Sequence, residues 1–327
     1  MRDCSAGLAG PPGRLHSQPM TDLARSLLLS ASRSTFLADR MMRQPFAQRA
    51  VKRFMPGETV EAALDAAKPL AEAGIGTVVT QLGENLTSLA EADAVREHYL
   101  TVFDLIAQRG LPSWPSVKPT QLGLDLSFDA CLANLSVLAA RADAAGSLLW
   151  IDMEDSSYVD RTLDLFRKLR ATHLRVGVCL QSYLRRTPAD LAALLPLKPV
   201  IRLVKGAYAE PVDRAFPDKR DTDAAYFALG GDLLQAARDG ARPVFGTHDI
   251  PLIERLAARA GALGVTDGDW EIHMLYGIRM ADQRALARAG RTVRTLISYG
   301  RSWFPWYMRR LAERPANVWF VVKSLVR

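Results

Sequence analysis

The chain has 327 residues, 49% of them hydrophobic and 24% charged, with a formal net charge of +7 at pH 7. This is the composition of a soluble globular protein, long enough for one large domain or two ordinary ones. The basic residues are spread along the chain rather than gathered into a run or a recognisable module, which argues against nucleic acid and suits an acidic substrate, an anionic cofactor or a membrane surface.

Three cysteines, Cys4, Cys131 and Cys179, follow neither a disulfide framework nor a zinc spacing, as expected of a reducing compartment. No apolar run is long enough to span a bilayer, and "LLLS" (27–30) is too short for a signal-peptide core.

In chain order, residues 1–20 are rich in Gly, Pro and Ser and are expected to form a disordered tail, with Met20 as an alternative start. Residues 21–74 read as an N-terminal helical arm, with Thr21 or Asp22 as its first cap. The stretch "RFMPGETVEAALDAAKPLAEAGI" (53–75) then forms a capped helix leading into the first strand.

From 75 to 327 a rhythm of strands and helices appears. The strand-like runs are "GTVVTQLGE", "WPSVKPTQLGLD", "GSLLWIDMED", "LRVGVCLQSYL", "PVIRLVKGAY", "RPVFGTHD", "WEIHMLYG" and "TVRTLISYG". Amphipathic segments lie between them, several ending in Gly as helix C-termini prefer. Strands alternating with helices predict parallel βαβ units, and eight of them fit a closed (βα)8 TIM-type barrel. An open doubly wound sheet is the competing architecture, but its Gly-rich phosphate turn is missing, since the first strand ends "TQLGEN".

Such barrels carry their chemistry at the C-terminal ends of the strands. In order, those ends present Glu84; Lys118; Asp152 and Glu154; Gln181 and Tyr183; Arg202, Lys205 and Tyr208; Thr247, His248 and Asp249; and His273 and Tyr276. After the eighth strand, "SWFPWYMRRLAERPANVW" sets Trp306, Arg309, Arg310 and Glu313 on a helix. Charged groups so placed are costly unless paired or functional. Lys118, Arg202, Lys205, Arg309 and Arg310 outnumber Glu84, Asp152 and Glu154, and the mouth is therefore expected to take an anion.

Adjacent helix residues point about 100° apart, so Arg309 and Arg310 converge on a ligand only from a helix lying over the mouth. The competing reading is a solvated face on which Glu313 pairs with Arg309. A metal site is the weaker alternative: only His248 and His273 stand at strand ends, with Asp152, Glu154 and Asp249, and neither HxH nor HExxH occurs. GxSxG and a Cys beside a His are also missing, against nucleophilic hydrolysis.

The motifs "VKPTQLGLD", "WIDMED", "VGVCLQSYLRRT", "IRLVKGAY", "GTHD", "MLYG" and "WYMRRLAERPAN" resemble, in order, those of the flavin-dependent proline dehydrogenases of the short monofunctional bacterial type. The likeness runs from about residue 64 to the C-terminus. It implies a distorted barrel with a C-terminal helix closing the active site, non-covalent FAD, and oxidation of L-proline to 1-pyrroline-5-carboxylate. It further implies electron transfer to a membrane quinone and a functional link to a pyrroline-5-carboxylate dehydrogenase. The implied location is cytoplasmic, with peripheral contact at the inner face of the membrane.

Carried over residue by residue, the resemblance has Lys118, Arg309 and Arg310 hold the substrate carboxylate, Leu275 wall the substrate ring and Glu84 pair with Arg309 as a lid contact. Arg202 is implied near the flavin N5 edge and Gln181 near the pyrimidine ring. Met153, Lys205, Gly206, Ala207, Thr247 and His248 are implied to line the FAD, and Asp152 to order the active-site network.

The chain departs from the family's pattern on the eighth strand, where Leu296 stands in the place of a Tyr and Ser298 in that of a Pro. Trp306 also replaces a Tyr of the closing helix, and Ala209 follows "KGAY" where some members have a Trp. The smaller Leu296 opens the substrate pocket to a substituted proline such as hydroxyproline. A reading of another class is a barrel without catalysis that binds an anionic metabolite.

Overall fold

The computed structural model describes residues 51–83 and 86–303. The expectations for the tail, most of the N-terminal arm, Glu84 and the closing helix with Trp306, Arg309, Arg310 and Glu313 fall outside these residues.

Helix α1 (Val60–Glu72) begins where Thr59 Oγ1 accepts from the Ala62 N–H at 3.3 Å. It delivers the chain into β1 (Gly76–Gln81). There follow α2 (Leu89–Gln108), β2 (Ser113–Val117), α3 (Phe128–Ala144), β3 (Leu149–Ile151), α4 (Val159–Arg170), β4 (Val176–Gln181), α5 (Thr187–Leu194) and β5 (Val200–Val204). The series ends with α6 (Lys219–Ala237), β6 (Arg242–Gly246), α7 (Ile250–Ala262), β7 (Glu271–Leu275), α8 (Met280–Arg288) and β8 (Val293–Tyr299). Ser88 and Ser127 cap α2 and α3 as Thr59 caps α1, and Asp249 does the same for α7.

The eight strands pair in parallel and in sequence order, and β8 returns to β1 with Val78 opposite Leu296. The closed (βα)8 barrel predicted from the alternation of strand-like and helical segments is what forms. Its strands read as nearly continuous apolar runs because both faces are covered, and every residue of β4 is buried.

Alternation sorts the side chains. Val79, Ile151, Ile201 and Phe245 join the large core between strands and helices. Val78, Trp150, Val200 and Val244 form a second cluster inside the barrel, with Trp114 and Leu296 packed against it. The barrel is therefore filled, and the interior rows lead upward to the C-terminal mouth.

Two strands are shorter than their sequence runs. The run from Trp114 to Asp125 leaves the sheet after Val117, because Pro119 has no N–H for a ladder and opens a 3-10 turn, Pro119–Leu122. β3 has only three residues, and the Asp152 N–H donates to Val117 O at 2.8 Å just beyond it. Lys118 and Asp152 accordingly sit on neighbouring strand exits rather than within strands.

Candidate active site

Arg202 occupies the centre of β5, pairs in register with Cys179 on one side and Val244 on the other, and is 3% exposed. Its Nη2 is ion-paired with Asp152 Oδ1 and donates to Ser116 Oγ at 3.1 Å. Ser116 Oγ in turn donates to Asp152 Oδ1 at 2.9 Å. Arg202 Nε lies 2.9 Å from Cys179 Sγ, and the guanidinium carbon sits 4.6 Å from the centroid of the Trp150 ring.

Burial opposes the charge on Arg202, but the Asp152 carboxylate and the hydrogen bond to the Cys179 sulfur outweigh it and raise its pKa. Burial also pushes the Cys179 thiol up to about 12, so it is a neutral acceptor for the Arg202 Nε–H. One guanidinium nitrogen remains: Arg202 Nη1 is buried with no hydrogen-bond partner among the described residues.

Gln181 closes β4. Its Nε2 donates to Glu154 O at 3.2 Å, while its buried Oε1 has no acceptor role among the described residues. Glu154 is itself anchored, accepting from Thr120 N at 3.1 Å and Thr120 Oγ1 at 2.8 Å. Lys118 is buried at the exit of β2. Met153, 7% exposed, packs with the outer core.

Past β5, Gly206 has φ +114°, and a Cβ there would lie 2.2 Å from Tyr183 Cδ1. The Lys205–Ala207 backbone is thus pressed onto the Tyr183 ring in a way only glycine permits. Lys205 Nζ donates to Asp223 Oδ1 at 2.6 Å and to Asp249 Oδ2 at 3.0 Å. Burial works against the lysine charge, yet these two carboxylates raise its pKa above the ordinary value.

Past β6, Thr247 Oγ1 accepts from the Asp249 N–H at 3.2 Å, and His248 Nε2 accepts from the Leu275 N–H at 3.4 Å. Leu275 faces Leu296 in the β7–β8 register, so the two expected substrate-ring contacts are neighbours at one rim.

Two sequence expectations change. Asp223, on α6, and Asp249 were absent from the charge comparison, and they hold Lys205 and Lys219 between them. Among the described residues Asp152, Glu154, Asp223 and Asp249 stand against Lys118, Arg202, Lys205 and Lys219, four against four, while Arg309 and Arg310 of the expected excess lie outside them. His273 is not at the mouth: it is 3% exposed, with Nε2 3.2 Å from Glu271 Oε2 deep in the barrel. Burial depresses its pKa to about 4, so it is neutral.

Trp150, Ser116 and Cys179 were given no site role in the sequence reading. Each lies two residues before a residue that was given one (Asp152, Lys118 and Gln181), and the strand period of two was the available signal. Among the described residues no group of three His, Cys, Asp or Glu side chains is placed to hold a metal ion.

The family model of proline dehydrogenase matches residues 63–323. The chain belongs to the proline dehydrogenase family. Among relatives, proline dehydrogenase 1 of Bacillus subtilis subsp. natto is 36% identical over 276 residues, spanning 84% of this chain and 90% of the relative. The proline dehydrogenase of Deinococcus radiodurans is 36% identical over 283 residues, with the same 84% and 90% coverage.

Among solved structures, proline utilization A (PutA) from Bdellovibrio bacteriovorus, inactivated by N-propargylglycine, superposes with a TM-score of 0.77 at 21% identity. That match covers 89% of this chain and 37% of the longer protein, and it speaks to the fold. The chain is thus a proline dehydrogenase, an oxidoreductase of proline metabolism.

Proposed function

We propose that this proline dehydrogenase oxidises L-proline to 1-pyrroline-5-carboxylate with non-covalently bound FAD and passes the electrons to a quinone. The observation that carries the reading is the buried pair of unpartnered polar atoms, Arg202 Nη1 and Gln181 Oε1. One is a donor and the other an acceptor, and buried groups of this kind normally find a partner. The edge of an isoalloxazine ring offers both complements. The glycine-dependent loop at Lys205–Ala207 and the Thr247–His248 turn supply backbone surface on the same rim.

When bound, FAD would accept the two electrons released as the substrate C–N bond becomes C=N. The chain's own residues orient and screen. Arg202 would present Nη1 to the cofactor while Asp152 holds Nη2. Lys118, together with Arg309 and Arg310 of the closing segment, would bind the substrate carboxylate, and Glu84 would latch Arg309. Leu275 and Leu296 would wall the ring, fixing the substrate for reaction and keeping water out.

Among the described residues no helix is long and apolar enough to cross a membrane. Quinone reduction would therefore use a peripheral contact from the cytoplasmic side, and a pyrroline-5-carboxylate dehydrogenase would consume the product. Purified protein should be yellow, bleach anaerobically with L-proline and recover colour with a soluble quinone. Colourless protein that stays colourless after incubation with FAD would instead favour a non-catalytic, anion-binding barrel.

A second reading is favoured by one observation. Leu296, half-buried beside Leu275, is smaller than the Tyr that the family resemblance places there. The same chemistry on a substituted proline such as hydroxyproline would then be preferred. Bleaching rates across the two substrates separate the readings.

A further inference from the structure

We propose that Trp150 is the positioning residue of Arg202: the indole face sets the plane of the guanidinium and so the direction in which Nη1 points. The kinetic consequence rests on the flavin reading above; the geometric claim does not.

The ring is held on several sides. Trp150 is fully buried among Val78, Val200 and Val244 inside the barrel. It lies over Gly177, its register partner on β4, where a Cβ would come within 2.7 Å of the indole Cζ3. His273 meets it edge-on, with centroids 5.5 Å apart and planes at 75°. An indole so enclosed has one position, and Arg202 lies over it at 4.6 Å.

The polar contacts of Arg202 do not fix it by themselves. Asp152 is ion-paired to Nη2 through the single oxygen Oδ1, not by the two-point fork that locks a guanidinium plane. Ser116 Oγ reaches the same nitrogen, and Cys179 Sγ is a weak acceptor at Nε. All three contacts lie along the Nε–Nη2 edge, about which the group can tilt. A flat cation on a flat ring removes that tilt.

The test compares Trp150→Leu, Trp150→Phe and Gly177→Ala with the wild-type holoenzyme. Leu keeps an apolar filling without the ring face; Phe keeps a face; Gly177→Ala keeps the indole but pushes it. Trp150→Leu and Gly177→Ala are expected to lower kcat about tenfold with KM for proline unchanged, the scale of a lost buried cation–π contact. A tenfold weaker preference for the reduced cofactor would lower the two-electron midpoint potential by about 30 mV.

Trp150→Phe should recover to within about twofold of wild type. Crystal structures should show the guanidinium tilted in Trp150→Leu and unmoved in Trp150→Phe. Wild-type kcat and potential in Trp150→Leu overturn the proposal, and so does a Phe variant as impaired as the Leu variant. If Trp150→Leu does not fold, the Gly177→Ala and Trp150→Phe pair decides by the same criteria. If the wild type binds no flavin, the functional reading falls, and the guanidinium orientations in the crystals decide this proposal alone.

Discussion

At the floor of the barrel Glu271, wholly buried, has both oxygens engaged. Oε1 is paired with Arg242, and Oε2 receives Arg294 Nε at 2.9 Å and His273 Nε2 at 3.2 Å. Arg294 spends its remaining contacts on Pro112 O at 2.9 Å and on the face of Trp114, 3.2 Å from its guanidinium carbon. At the mouth Arg202 and Asp152 make a similar buried pair over a similar tryptophan, yet Arg202 Nη1 and Gln181 Oε1 are left without partners. One barrel thus buries a carboxylate and a guanidinium over a tryptophan twice: at the floor both carboxylate oxygens are engaged and one ring nitrogen, His273 Nδ1, is left over among the described residues, while at the mouth a charged donor and an amide acceptor are left over. A buried carboxylate with both oxygens engaged is what a structural ion cluster needs. An open donor and acceptor in a buried site are what a ligand site needs, and they stand at the end where barrels of this architecture do chemistry.

The largest expected effect tests the floor carboxylate. Glu271→Gln leaves Arg294, with 13% of its side chain exposed, facing a neutral group. Breaking a buried pair of this kind costs about 3–5 kcal/mol. Urea denaturation should show that loss, while kcat of the folded enzyme stays near wild type. A fall in kcat without a fall in stability would erase the division between floor and mouth.

Arg202→Met is the reciprocal experiment. Removing a preorganised charged donor is expected to lower kcat on proline by about 10²–10³-fold. Stability should fall less than in Glu271→Gln, because Asp152 keeps 18% of its side chain exposed and can be hydrated. Steady-state kinetics beside denaturation curves check both halves. A variant as unstable as Glu271→Gln but fully active when folded would make Arg202 a second structural cluster.

Leu296→Tyr sharpens the comparison within the mouth. Restoring bulk next to Leu275 should shift the ratio of kcat/KM for L-proline over hydroxyproline toward proline by about tenfold, the range that pocket shape alone provides. An unchanged ratio would remove Leu296 from the substrate wall.

The floor and the mouth were not equally legible. The eight strands could be read because each is a short β-branched or apolar run ending in a polar residue, and the barrel followed from their number. Strand ends could not be read at Pro119, where a missing N–H rather than hydrophobicity ends the strand. The mouth residues Lys118, Asp152, Gln181 and Arg202 stood out as polar groups at the ends of apolar runs.

Their partners did not stand out. Ser116, Asp152 and Arg202 are brought together from β2, β3 and β5 by register, which no single segment encodes. Asp223 comes from a helix face, and nothing in its own segment marks it as the counter-charge of Lys205. His273 was misplaced because strand alternation tells which residues face inward but not at what depth. The twin arginines and Glu84 stood out by position and charge, took their roles from the family resemblance, and fall outside the described residues.

The smallest expected effect concerns pH and again contrasts the two ends. His273 has its pKa depressed by burial from 6.5 to about 4, partly offset by Glu271, so the folded protein keeps it neutral where the unfolded chain begins to protonate. The unfolded state therefore binds more protons between these values, and stability falls as pH drops through that window. Glu271, held at about 2 by His273, Arg294 and Arg242 against the opposing effect of burial, adds a loss of the same sign only below its ordinary 4.5.

Between pH 7 and 5.5 the His273 contribution amounts to about 1 kcal/mol. His273→Gln offers Glu271 a donor that does not titrate, so its stability should vary less over that interval by this amount. His98, also shifted down by burial, contributes equally to both proteins and cancels in the difference. Identical pH slopes for the two proteins would mean that the floor admits water and protons, and the contrast between a sealed floor and a receptive mouth would then fail.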